Sequence, residues 1–285
     1  VNYTEEIVII GGGMVGRVAQ RYMPDALILD WGPPPVATPR PQTFGAIYWW
    51  EPVADLPCVQ FQVLTTIDGE TPTPEGIRAY KERVGKGFEV QTRPDAVARQ
   101  FQPLSHGYAP TSFPAPTRIM YRARVERIDP DARMLHMANG DTYLYSHLVS
   151  TIPLPALLKM FPFDAVDQFE HIEFRSRPIF VTVAPDDHEA RTVLQVNYST
   201  TRNAYRETRH LDGSTHREYA SAPMHTELPV KKLVPGRIYD VPQAAELLLH
   251  LRGMAIHSFG RYGRWDSDEL LHMTDAQLRT FASLL

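Results

Sequence analysis

Ile7-Val-Ile-Ile-Gly-Gly-Gly-Met-Val-Gly16 decides the fold. Four apolar, mostly β-branched residues lead into Gly11, Gly13 and Gly16 at GxGxxG spacing, and Arg17 to Tyr22 continues as a helix, so the unit reads strand, tight turn, helix. Each glycine has a physical task. Gly11 permits the turn, Gly13 lets the backbone approach phosphates, and Gly16 lets helix and strand pack closely. Met14 and Val15, between these glycines, join the expected cofactor contacts, and the helix that starts at Arg17 supplies free N–H groups and the positive end of its dipole to an anion. The second strand, Ala26-Leu-Ile-Leu-Asp30, ends in a carboxylate about 20 residues after the first glycine, the place of a ribose hydroxyl acceptor. A carboxylate there disfavours a 2′-phosphate, so the expected cofactor is FAD or NAD rather than NADP. Trp31, next in line, joins the expected cofactor contacts.

A chain of 285 residues is long enough for one large or two smaller domains around a sizeable core. The formal net charge of -4 gives no general electrostatic reason to bind nucleic acid or an anionic membrane. No apolar run is long enough for a bilayer, and the chain starts in a strand pattern rather than a leader, so the expected location is the cytoplasm. A single cysteine, Cys58, agrees with a reducing compartment and reads as a small packing residue. The histidines are scattered, without HxH or HExxH spacing, and no metal is expected.

Twenty-five prolines shape the rest. Trp31-Gly-Pro-Pro-Pro-Val-Ala-Thr-Pro-Arg-Pro-Gln42 suits neither a helix nor a central strand. It leads into the aromatic patch Thr43 to Glu51, which reads either as core or as backbone at Phe44 and Gly45 lying against a flat cofactor ring. A strand is expected over 56–66, and a helix from Thr73 to Val84 with Thr73 as cap and Pro74 at its first position. From Arg118 come a strand over 119–128, a turn at Asp129 to Asp131, a strand over 134–137, a turn at Asn139-Gly140 and a strand through 143–145. Leu148-Val-Ser-Thr-Ile-Pro-Leu-Pro155 reads as a strand returning to the first sheet and running into a helix.

The portion from about 173 to 240 changes character. Strands over 179–183 and 192–196 precede a stretch holding Arg202, Arg206, Arg209, His210, His216 and Arg217, and few helical signals intervene, as in a separate, mostly antiparallel sheet. The Arg/His set reads either as a solvated strand face or as a wall recognising phosphate or carboxylate through planar guanidinium forks. A helix over 243–252, a strand over 254–259, a turn at Gly260-Arg-Tyr-Gly-Arg-Trp265 and a terminal helix beginning near 266–268 complete the pattern.

Four separated pieces together resemble the FAD-dependent amine-oxidase and UDP-galactopyranose-mutase-like flavoproteins. They are the turn from Ile7 to Gly16 with Asp30, Arg124-Val-Glu-Arg-Ile128 with the Asn139-Gly140 hairpin, the return strand over 148–155, and Gly260 to Trp265. The resemblance implies that Val125 holds the adenine side of FAD, that Thr151 lies beside the cofactor, and that Gly260 and Arg261 stand near the flavin. It implies an α/β fold: a Rossmann-like FAD-binding domain from 1–55, 115–165 and 241–285, and a smaller, mostly antiparallel substrate domain from 56–114 and 166–240. Asn197 to Arg206 is similar to the substrate strand of that group, which makes Tyr198, Arg202, Arg206 and Arg261 the substrate candidates.

The activity implied is hydride transfer to flavin from a carbon next to an amine, on a small or nucleotide-linked substrate. Three rivals remain. A non-redox nucleotide-sugar mutase would need paired arginines, for which Arg206 and Arg261 are the candidates. Small phage flavoproteins of similar type oxidise an amino-acid-bearing thymine in DNA; the Arg/His stretch suits a polyanion, and the net charge argues against it. The third is a non-catalytic dinucleotide-binding module.

Overall fold

A computed structural model of the chain describes residues 1–34, 51–53, 56–85, 98, 100–110, 115–184, 191–239, 241–267, 269 and 271–285. The first half of the described chain runs β1 (Asn2–Ile10), α1 (Met14–Tyr22), β2 (Leu27–Asp30), β3 (Cys58–Ile67), α2 (Pro74–Gly85), β4 (Leu104–Pro110), β5 (Ile119–Tyr121), β6 (Val125–Asp129), β7 (Met134–Met137) and β8 (Thr142–Ser150). It continues with α3 (Leu154–Leu158), α4 (Phe163–Val166), β9 (Ser176–Ala184), β10 (Val193–Tyr198), β11 (Arg206–Arg209), β12 (Thr215–Tyr219) and β13 (Val230–Ile238). Last come α5 (Ala244–Gly253), β14 (Ile256–Ser258), α6 (Gly260–Arg264) and α7 (Leu271–Ala282). The chain divides into two compact units. One comprises Val1–Pro39, Ser112–Phe174 and Asp240–Leu285, the other Arg40–Thr111 and Arg175–Tyr239.

The first unit is built on β1. Its end, Val8 to Ile10, is at most 5% exposed, because β2 and β8 flank it in parallel and both faces are covered. This is why the apolar run there is continuous rather than alternating. The described sheet has the order β5-β2-β1-β8-β7-β6, with β14 parallel to β8. β8 pairs with β1 from Asn2↔Thr142 to Ile10↔Ser150, a register that sets Thr151 beside Gly11. Helices α1 and α7 are tied by polar bonds: the Tyr22 hydroxyl donates to Asp275 Oδ1 (2.7 Å) and accepts from Arg279 Nη2 (3.4 Å).

Several local expectations are corrected here. The strand expected over 119–128 is two strands broken at Arg122 (φ 58°): β5 pairs parallel with β2, while β6 turns away to pair antiparallel with β7. The pieces read separately over 143–145 and from 148 are one strand, β8. Gly260 to Arg264 is a short helix rather than a turn, ended by Trp265 in the left-handed region (φ 55°). The terminal helix starts at Leu271, not at the acids over 266–268, because Asp266 and Glu269 take part in a connecting turn. Residues 166–174, expected in the second domain, belong to the first unit, where Phe169 packs on His250 (5.2 Å between ring centroids).

The second unit is a sheet of order β13-β9-β12-β11-β10-β3-β4. Its described pairs are antiparallel except β10 with β3, so it carries as many described strands as the first unit. α2 covers one face through Tyr80 and Val84, packed on Phe61, Val63, Phe101, Val196 and Tyr198. Thr73 caps α2, its hydroxyl oxygen accepting from the Gly76 N–H (3.1 Å). Asp68 joins the ends of β3 and β10 by accepting from Ser199 Oγ (2.6 Å) and the Thr200 N–H (3.1 Å). Those bonds hold its carboxyl below the usual range against the opposing effect of burial.

Candidate functional site

The glycine turn is packed by the protein's own atoms at every glycine but one. Gly11 has φ +105°, and a Cβ on it would stand 2.5 Å from Thr151 Oγ1. Thr151 is held there because its hydroxyl reaches the carbonyls of Ile10 and Gly11, each at 3.1 Å. A Cβ on Gly16 would meet the Gly11 carbonyl oxygen at 1.9 Å, and one on Gly12 would meet Asp30 Oδ2 at 2.3 Å. Gly13 differs: no atom of the described residues lies within 4 Å of its Cβ position. It is also the N-cap of α1, where glycine offers no side chain to cap the first-turn N–H groups.

The turn and the acid of the second strand come together. Asp30 Oδ1 accepts from the Gly32 N–H (2.8 Å), which orients the carboxylate against the Gly12 backbone. Gly12 and Gly32 are therefore site residues that the GxGxxG spacing did not single out. Arg17 is another, since its Nε donates to the Gly12 carbonyl (3.2 Å) and braces the turn. A basic residue one turn into the helix was the available signal.

Trp31 is 71% exposed, with the Arg124 guanidinium 5.3 Å from its ring centroid. Val125, beside Arg124, is buried at the start of β6. The end of the chain returns to the same place: Gly260 has φ +79° and a Cβ position 2.9 Å from Val15 Cγ2, and the Gly263 position is 3.1 Å from the Ser150 carbonyl oxygen. Gly11, Gly13, Met14, Val15, Gly16, Asp30, Thr151 and Gly260 thus form one cluster in the first unit. Arg261 is on α6, its guanidinium 5.9 Å from the Tyr262 ring centroid. Phe44 and Gly45 lie outside the described residues.

Three substrate candidates, Tyr198, Arg202 and Arg206, are in the second unit. Tyr198 is a core residue, 2% exposed, with its ring 4.8 Å from Tyr80 and 5.0 Å from Phe101. Arg206 is paired with Glu218, whose other oxygen accepts from the Tyr205 hydroxyl (2.9 Å). Burial opposes the charge on Arg206, and Glu218 more than offsets it, so its pKa is raised well above the usual value. Arg209 and Arg217 both bond Glu207, at 3.0 and 2.8 Å. His210 and His216 pack ring to ring at 4.2 Å, and burial together with this neighbour lowers the His210 pKa to about 4, leaving it neutral near pH 7. Arg202 contributes backbone: its N–H donates to Ser199 Oγ (2.8 Å), and its carbonyl accepts from Arg83. Two carboxylates, Glu207 and Glu218, thus engage three of the four arginines of this stretch, Arg206 and Arg217 across β11 and β12 and Arg209 along β11.

Among the described residues, no group of three or more His, Cys, Asp or Glu is arranged to hold a metal ion, and no helix is long and apolar enough to cross a membrane.

No protein-family model matches the chain, and no curated protein matches it in sequence. Solved structures do match. Reduced UDP-galactopyranose mutase has a TM-score of 0.65 at 14% identity, over 98% of this chain and 94% of that one. A putrescine oxidase redesigned in its cofactor binding gives 0.58 at 8% identity over the whole of both chains. A fatty acid isomerase from P. acnes gives 0.57 at 12% identity over 98% of each. The chain shares the fold of these three structures. A mutase, an oxidase and an isomerase share it, so the fold alone does not assign the reaction.

Proposed function

We propose that this chain binds FAD at the turn from Gly11 to Gly16 and acts as a flavin-dependent oxidoreductase on a carbon next to an amine. The observation that carries the cofactor reading is the Gly13 Cβ position at the start of α1, clear of every described atom, beside glycines that the protein packs to contact. The first-turn N–H groups would donate to the pyrophosphate, the helix dipole adding to the attraction. Asp30, oriented by Gly32, would accept from a ribose hydroxyl. Val125 and Thr151 would flank the cofactor, and Gly260 would let the backbone at α6 approach it. When bound, FAD supplies a hydride acceptor whose electrons pass to oxygen or another acceptor.

The amine reading draws on the whole-chain likeness to putrescine oxidase. A non-redox mutase acting on a nucleotide sugar is the second reading, favoured by the higher TM-score of the mutase structure. Against it stands Arg206, whose guanidinium is engaged by Glu218 rather than presented to a diphosphate. A DNA-borne substrate gains no support from the Arg/His stretch, where Glu207 and Glu218 match the guanidiniums. Anaerobic mixing of the FAD-loaded protein with amines, reduced nicotinamides and nucleotide sugars tests the proposal. Bleaching of the flavin by an amine, followed by reoxidation in air, is expected. Turnover of a nucleotide sugar by pre-reduced protein without oxygen uptake would select the mutase, and a flavin that no reductant bleaches would select a binding module.

A further inference from the structure

We infer that the buried carboxyl of Glu269 is a positioning group: it fastens α6 to α7 and thereby fixes how the α6 backbone meets a bound flavin; this rests on the FAD reading above. A helix of five residues is too short to hold itself, so the place of α6 is set by what surrounds it. Trp265, which ends α6, is 3% exposed and meets Phe174 edge-on at 5.5 Å between ring centroids. That contact is apolar and gives depth without direction. Glu269 supplies the directed tie. It is 5% exposed; its Oε1 accepts from Thr274 Oγ1 (2.9 Å) and its Oε2 from Gln277 Nε2 (3.4 Å), both on α7. On the other side Arg264 Nε of α6 forms an ion pair with the same Oε2 at 3.7 Å.

The tie closes a ring of three helices. α7 is bonded to α1 through Asp275 and Tyr22 (2.7 Å), and α6 returns to α1 where the Gly260 Cβ position lies 2.9 Å from Val15 Cγ2. Glu269 is the polar link between the two helices that the other contacts leave separate. Burial pushes its carboxyl above the ordinary range, and the Thr274 hydroxyl and Arg264 only partly oppose this. An apolar side chain of the same size would fill the space without that cost, but would let α6 slide over α7. The reach of the dinucleotide separates this role from simple stability. In the FAD reading ADP occupies only the turn at Gly13 and the acceptor at Asp30, whereas the flavin of FAD extends to α6.

The test is calorimetric titration of flavin-free protein with FAD and with ADP, for the wild type, Glu269→Gln and Thr274→Val. Glu269→Gln keeps an acceptor for Thr274 and removes the charge that faces Arg264. It is expected to weaken FAD by about tenfold, the scale of one charge-assisted contact, with ADP binding unchanged. Thr274→Val leaves the carboxyl in place but frees it from α7, and should give a smaller loss of the same pattern; it carries the test alone if Glu269→Gln does not fold. Unchanged FAD binding in the variants, or an equal loss for ADP as expected of a merely structural residue, would overturn the positioning role while leaving the FAD reading intact. A wild-type protein that does not bind FAD would overturn both.

Discussion

The Cβ of any side chain at Gly16 would fall 1.9 Å from the carbonyl oxygen of Gly11. Strand β1 and helix α1 are therefore in contact through backbone at that point, and a methyl group there forces them apart. Gly13, three residues earlier, has an ordinary φ of −67° and, among the described residues, no atom within 4 Å of its Cβ position. Gly16→Ala is expected to cost about 3 kcal/mol or more, read as a large fall in melting temperature or loss of folded protein. Gly13→Ala is expected to cost at most about 1 kcal/mol, because alanine is a poorer N-cap than glycine, yet to weaken FAD binding because the methyl takes the space at the helix start. A comparable loss of stability at both positions would contradict this division.

Removing one partner of Arg206 and Glu218 should be costly, since Glu218 is 4% exposed. Arg206→Ala is expected to destabilise the protein by about 3–5 kcal/mol, as for a buried charge left without its partner. The double variant Arg206→Met with Glu218→Leu should cost far less than the two single losses summed. Chemical denaturation of the three variants gives the comparison. An Arg206→Ala protein of full stability that loses substrate binding would return Arg206 to the substrate site.

Acid should loosen the first unit through His257. Its Nε2 lies 3.4 Å from His147 Nδ1, and Phe281 of α7 packs on its ring at 4.3 Å. Burial, reinforced by the nearby His147 and Arg252, lowers its pKa from 6.5 to about 4. Above pH 6.5 the folded and unfolded states are both neutral there and stability is full; as pH falls from 6.5 to 4, the unfolded state takes up a proton that the folded state refuses. That difference lowers the stability of the folded state progressively over this range. Melting temperatures across this range should drop for the wild type and drop less for His257→Gln. Parallel pH profiles would contradict it.

The glycine turn, Asp30 and the returning strand were legible because each rests on local chemistry: apolar runs, turn glycines and an acid at a set distance. The break at Arg122 was not. It depends on β5 finding β2 and β6 finding β7, pairings between distant residues that no window of sequence contains. Gly260 to Arg264 has the composition of a turn, and becomes a helix where Gly260 and Gly263 allow close approach to Val15 and Ser150. The Arg/His stretch showed which charges exist but not that Glu207 and Glu218 stand across from them. Tyr198 illustrates the same limit, since a tyrosine on a strand reads alike whether its ring faces a ligand or, as here, Tyr80 and Phe101.

The most direct test of the account is titration of the purified, flavin-free protein with FAD, followed by visible absorption and by identification of the chromophore released on denaturation. The account predicts saturable binding of one FAD per chain with a shifted flavin spectrum, weakened by Gly13→Ala without loss of fold. A protein that stays colourless with FAD present, while wild type and Gly13→Ala melt alike, would contradict it.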